Sequence, residues 1–294
     1  MKVQLFSIIC LDEDEYPDLN LYRHFIDHYK SLGIKSKHFN IIPCGVDSYK
    51  ENFEKFKNIN SRHNITTLEL LPKKYDIKES HKIYLNWRDK LDPEEWVIRP
   101  DPDEFNDYGP FDKIQECAQY LEENNYQALQ GELMDCVAKD LVLHKVQYPE
   151  NLFMQFPIRA NITKFFINPL TDKLLLFKAK VEFQQGHHHV VWNPKREAIA
   201  KSEDIIWDEK ASISGVKIRY NTSEYWNRPP SPTPGIYETN FKAFHFKWTD
   251  VLVRRLENTQ HKNLYVSFGK DRKNTNDIIK GNKFNIVIKE VETV

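Results

Sequence analysis

Glycine is scarce, with nine in 294 residues, and none are gathered into the G-rich loop that cradles phosphates. An H-x-x-E-H metal cluster is missing too. The four cysteines (Cys10, Cys44, Cys117, Cys136) lie far apart with no C-x-x-C, which argues against a zinc knot or a disulfide framework. Cys10 and Cys44 each end an apolar run and read as buried reduced thiols. Net charge is −1, so there is no basic excess of the kind nucleic acid recruits. No apolar run approaches about 18 residues and no charged-then-apolar leader opens the chain. A cytoplasmic protein without an integral membrane segment is expected, and the sequons at Asn64, Asn161 and Asn221 are set aside. Internal repeats are also lacking. What is plentiful is charge, 29%, and aromatic residues, 13%, in a length sufficient for a substantial α/β core.

The first hundred residues alternate two periodicities. Val3 to Cys10 is an apolar run that reads as a central strand. Leu21, Phe25, Ile26, Tyr29 and Leu32 then recur at helical spacing, and Gly33 supplies a stop. Strands are predicted over 39–44 and 65–71, and helices over 48–59 and 76–90. The run Trp96-Val97-Ile98 forms one more strand. Alternation of this kind builds βαβ units and a mostly parallel, Rossmann-type sheet flanked by helices. Further on, a helix is expected within 110–124, strands over 126–138, 174–177 and 241–248, and a proline-rich loop over 221–236. One domain over 1–262 is expected, a nucleotide-sugar-binding half (1–105) and an acceptor-side catalytic half (106–262), followed by a C-terminal extension (263–294).

The strand at 96–98 runs into Arg99-Pro100-Asp101-Pro102-Asp103-Glu104-Phe105. Each proline biases its predecessor toward extended backbone, and residues i and i+2 of an extended chain share a face. Asp101 and Asp103 are therefore expected to converge at the carboxyl end of a strand, where open α/β sheets bind ligands. Two carboxylates at one point repel each other unless a cation lies between them, and oxygen donors suit Mg²⁺ or Mn²⁺. The plain alternative is an acidic turn.

Six short segments in a fixed order extend the pattern: His28-Tyr29 with Leu32-Gly33, Asp101 to Phe105, Asp135-Cys136-Val137-Ala138, Gln155-Phe156-Pro157, Gly186-His187-His188, and His245 to Trp248. Together they resemble the HY-x-x-LG, D-x-DEF, D-R-V-A, Q-F-P, G-H-H and H-F-K-W segments of a family-2-like group of nucleotide-sugar glycosyltransferases with the GT-A fold. Cys136 stands where that pattern carries arginine. The resemblance implies a metal-dependent, inverting transfer of a sugar from a nucleotide-diphosphate donor, UDP-linked most often in this fold, to a glycan hydroxyl. It implies Asp103 as metal ligand, Asp101 at the ribose or donor sugar with reach to the metal, and His245 as the late histidine completing the metal shell. For the acceptor base, which must lie within hydrogen-bond reach of the incoming oxygen, Asp135 is the candidate and Glu132 the second choice. Leu11, Asp12 and Arg88 are expected on the nucleotide side. His187 and His188 are expected at a phosphate or acceptor sugar, since adjacent strand histidines alternate faces and do not readily share one tetrahedral ion. Trp192 and Trp226 are candidates for stacking on sugar rings. Two other readings fit the same residues: a metal-dependent nucleotidyltransferase or phosphohydrolase, and a glycan-binding protein without turnover.

Overall fold

A computed structural model describes residues 1–11, 18–45, 50–67, 77–140, 142–160, 172–181, 207–213, 216–219, 236–247 and 249–250. The strands are β1 (Val3–Cys10), β2 (Phe39–Cys44), β3 (Trp96–Ile98), β4 (Glu104–Asn106), β5 (Ala128–Val137), β6 (Ile158–Ala160), β7 (Asp172–Lys178), β8 (Trp207–Ile213), β9 (Val216–Arg219) and β10 (Ile236–His245). The helices are α1 (Leu19–Ser31), α2 (Lys50–Arg62), α3 (Ile77–Arg88), α4 (Ile114–Glu123) and the single turn α5 (Leu152–Gln155). The main sheet has the order β2-β1-β3-β7-β5-β10-β4, with β6 added to β5, while β8 and β9 pair separately. Strands β2, β1, β3, β5 and β10 point one way and β7, β4 and β6 oppose them. This is the expected Rossmann-type mixed sheet. Of the strand predicted over 65–71, the described part holds a single parallel bridge, Thr67 to Ile41.

Strand β1 is buried on both faces because helices cover both. Leu5 and Ile9 pack with Phe25, Ile26 and Tyr29 of α1 and with Phe56 of α2, whereas Phe6 packs with Ile42, Val97, Phe177 and Tyr84 of α3. A strand sandwiched in this way reads as a continuous apolar run rather than an alternating one. At the N-terminus of α1, the Asp18 side chain accepts from Asn20 N and Leu21 N. The C-terminus of α1 closes in a Schellman motif: Gly33 N donates to Lys30 O and Ile34 N to Tyr29 O, with Gly33 at φ 95°. The HY-x-x-LG segment is thus the last turn of α1 and its cap. Its Tyr29 hydroxyl donates to Glu104 O and accepts from Asn106 N, which fixes β4 beneath the helix.

The cysteines are free thiols, but Cys10 is only half-buried. It sits opposite Cys44 in the β1–β2 register with the two sulfurs 2.9 Å apart. Among the described residues no helix is long and apolar enough to cross a membrane.

Candidate functional site

The carboxyl ends of β3, β5 and β10 meet at one place, and each delivers an ionisable group there. After β3 the chain does not stay extended. Glu104 N donates to Asp101 O at 2.9 Å, closing a β-turn with Pro102 at its second position. This corrects the expectation that Asp101 and Asp103 share one face. The fixed φ of proline suits a turn's second position as well as it suits an extended chain, and the i to i+3 bond selects the turn. Asp101 is therefore exposed and Asp103 buried. Ser7 Oγ anchors the approach by donating to Pro100 O, and Phe246 N anchors the exit by donating to Asp103 O.

His245 is the last residue of β10, opposite Asp135 in the parallel β5 ladder and opposite Glu104 in the antiparallel β4 ladder. Its Nδ1 lies 2.8 Å from Asp135 Oδ1 and its Nε2 3.6 Å from Asp103 Oδ2. Asp103, Asp135 and His245 are 7%, 1% and 5% exposed, so the three form one buried group. Burial alone pulls the imidazole pKa down. The bonds and charges of Asp103 and Asp135 outweigh it and raise His245 to about 9. Without another cation, the histidine is therefore an imidazolium between two carboxylates at neutral pH.

Two further carboxylates are committed to lysines. Glu104 Oε1 pairs with Lys173 Nζ at 2.6 Å, with both side chains buried, and Glu104 Oε2 accepts from Asp101 N at 3.1 Å. Burial pulls Lys173 down, yet Glu104, Asp101 and Asp103 together hold it above its ordinary value. Glu132 pairs with Lys242 at 2.6 Å, its side chain 30% exposed.

Asp103 and His245 Nε2 are the side-chain donors here that could hold a divalent cation. Asp135 occupies Nδ1 of His245 and so directs Nε2 toward Asp103, the carboxylate–histidine arrangement that orients metal ligands. The 3.6 Å between Nε2 and Oδ2 is somewhat wider than the about 3.0 Å that adjacent ligands of an octahedral ion with bonds of about 2.1 Å span, so the two donors would draw together on such an ion. Among the described residues no group of three or more His, Cys, Asp or Glu side chains is placed to hold a metal. An ion held by Asp103 and His245 would complete its shell with ligand oxygens and water. Mg²⁺ and Mn²⁺ do this with phosphates.

Of the sequence candidates, Asp103, Asp135 and His245 are brought into contact, and Asp101 borders them. Asp135, buried and bonded to His245, lies beneath the histidine. Glu132 lies nearer the surface. Leu11 is fully buried and extends the β1–β2 ladder, its N donating to Cys44 O. Arg88 ends α3, 12% exposed and bonded to Asp89. Asp12, His187, His188, Trp192 and Trp226 lie outside the described residues, as does everything beyond residue 250. The cross-strand neighbour of Cys136 is Arg159, whose guanidinium lies over the rings of Phe153 and Phe244. The sequence reading missed the Glu104–Lys173 pair. A lysine heading the run Leu174 to Phe177 carries no local sign that it is buried.

No known family description matches the sequence, and no curated protein does. Among solved structures, a UDP-glucose pyrophosphorylase complexed with UDP-glucose aligns at a TM-score of 0.26 and 10% identity, over 54% of this chain and 66% of its own. Mouse xyloside xylosyltransferase 1 aligns at a TM-score of 0.25 and 10% identity, over 61% of this chain and 68% of its own.

Proposed function

We propose that this chain is a divalent-cation-dependent glycosyltransferase, moving a sugar from a nucleotide-diphosphate donor, UDP-linked in the first instance, to a hydroxyl of a glycan acceptor with inversion. The observation that carries the reading is the junction of Asp103, His245 and Asp135. These residues come from three stretches that resemble one glycosyltransferase pattern, and they converge in one buried group, His245 hydrogen-bonded to Asp135 and 3.6 Å from Asp103, where α/β sheets bind ligands.

In this reading Asp103 and His245 Nε2 hold the cation, and Asp135 is a positioning residue that fixes the tautomer and direction of the imidazole. Mn²⁺ or Mg²⁺ bound there supplies positive charge for the diphosphate as the sugar–phosphate bond breaks. Asp101, exposed at the rim of the turn, faces the donor's ribose or sugar. Two-ion phosphoryl chemistry is the weaker reading, because it asks for a second set of carboxylates. Glu104 is engaged by Lys173 and Asp101 N, and Glu132 by Lys242.

The test is calorimetric titration of UDP with Mn²⁺ and then with EDTA, followed by product analysis with a panel of UDP-sugars. Metal-dependent UDP binding and release of UDP with a new glycoside are expected. Release of pyrophosphate instead would move the assignment to nucleotidyl transfer. Sugar binding with no turnover on any donor would make it a glycan-binding protein.

A further inference from the structure

Lys173 is the second residue of β7, a strand that runs against both β3 and β5 within the sheet. Because β7 is reversed, its first residues arrive at the edge where its neighbours end. A lysine is thereby set among carboxylates that belong to the exits of other strands. Its Nζ meets Glu104 Oε1 at 2.6 Å, with both side chains 5% exposed. The second oxygen of Glu104 accepts from Asp101 N, and Glu104 N donates back to Asp101 O. Glu104 thus closes the turn that carries Asp101 and Asp103, and Lys173 fixes Glu104.

Neither stability nor charge accounts well for such a pair. A buried ion pair is often matched or bettered by apolar residues of the same volume. A fixed positive charge beside an acidic turn also opposes the approach of a cation. What the pair does supply is geometry. Resting on the reading of this site as a divalent-cation centre, we infer that Lys173 is a positioning residue for that cation. Acting through Glu104, it holds the Asp101–Asp103 turn in the conformation that directs Asp103 toward His245 Nε2.

The experiment is Mn²⁺ uptake by the full chain, followed by the electron paramagnetic resonance signal of free Mn²⁺, with and without UDP. Wild type is compared with Lys173→Met, Glu104→Gln and the double variant, each checked for folding by circular dichroism. Met and Gln keep the volumes, and the double variant removes both charges together. It is therefore expected to remain folded even where Lys173→Met leaves Glu104 stranded and unfolds the chain. The Mn²⁺ dissociation constant is expected to rise about tenfold or more in each folded variant, the usual scale for residues that support metal ligands. The double variant is expected to be no worse than the weaker single, because the two side chains act as one strut. A structural ion pair leaves Mn²⁺ affinity unmoved in a folded variant. A folded double variant that binds Mn²⁺ as tightly as wild type therefore overturns the role of Lys173 and leaves the proposed function standing. A wild-type chain that takes up no Mn²⁺ under either condition overturns the cation centre itself, and this inference with it.

Discussion

Asp135→Asn removes a charge and keeps a shape, at the carboxylate that lies 2.8 Å from His245 Nδ1. Burial pulls the His245 imidazole down, and Asp103 and Asp135 together carry it up to about 9. The interval from the ordinary value of 6.5 to about 9 corresponds to about 3 kcal/mol of preferential binding of the proton by the folded state. The sign follows from the direction. A histidine whose folded pKa is raised stabilises fully below its unfolded value, and the contribution is lost as pH climbs through the folded value. Chelator-treated wild type should therefore melt at a temperature lower by roughly 5–10 °C above pH 9 than at pH 6. Other groups titrate in that range, so the quantity to plot is wild type minus His245→Gln, each melted by calorimetry in EDTA at half-unit steps. That difference should shrink between pH 6.5 and 9, and Asp135→Asn should cut the slope by about half, since one of two carboxylates remains. A difference that stays flat across the window would refute the imidazolium between two carboxylates. An Asp135→Asn slope equal to that of wild type would instead assign the whole effect to Asp103.

Asp103→Ala should lower turnover by about a hundredfold or more while the circular dichroism spectrum is retained, because it deletes the proposed cation ligand from a turn still pinned by backbone bonds. An active variant with unchanged metal dependence removes Asp103 from the cation centre. At Gly131 a Cβ would come within 2.2 Å of Phe241 O and 2.6 Å of Leu175 Cδ1. Gly131→Ala should therefore cost about 1–3 kcal/mol in denaturant unfolding and weaken Mn²⁺ binding by displacing β10; unchanged stability and binding would show that β10 gives way locally. Across the β1–β2 ladder the Cys10 and Cys44 sulfurs stand 2.9 Å apart, so a disulfide reagent should consume both thiols and lower the mass by two hydrogens. Cys44→Ser should abolish that cross-link, and its persistence would point to Cys117 or Cys136.

Strong local signals survived into the structure. The apolar runs of β1, β2 and β5 and the 3.6-residue spacing of α1 arise from the burial that dictates those elements, so periodicity alone places them to within a few residues. The α1 stop at Gly33 was legible for the same reason, since only a left-handed position needs that residue there. Where two local rules competed, the sequence left the outcome open. Pro102 is compatible with extended chain and with a turn, and the deciding bond, Glu104 N to Asp101 O, depends on β4 being held under Tyr29 and against β10. Nothing in residues 99–105 encodes that support.

The site itself shows how far residue identity carries and where register takes over. Asp103 stood out by the D-x-D spacing, and Asp135 and His245 by the resemblance of their segments to one glycosyltransferase pattern, but contact between them depends on the register in which β10 meets β5. That register is set by the irregularity between Glu238 and Lys242, after which Lys242 pairs with Glu132 and His245 with Asp135. Strand side chains alternate, so a slip of one residue would present Phe244 to Asp135 and turn His245 to the opposite face. The irregularity in turn needs Gly131, since the Phe241 carbonyl lies where any Cβ at that position would be. One glycine out of nine, in a strand whose other residues read as ordinary core, thus fixes the register on which the histidine's two carboxylate contacts depend. The same logic hides Lys173: its meaning comes from the reversal of β7 between β3 and β5, a property of the sheet order and not of the residues that flank it.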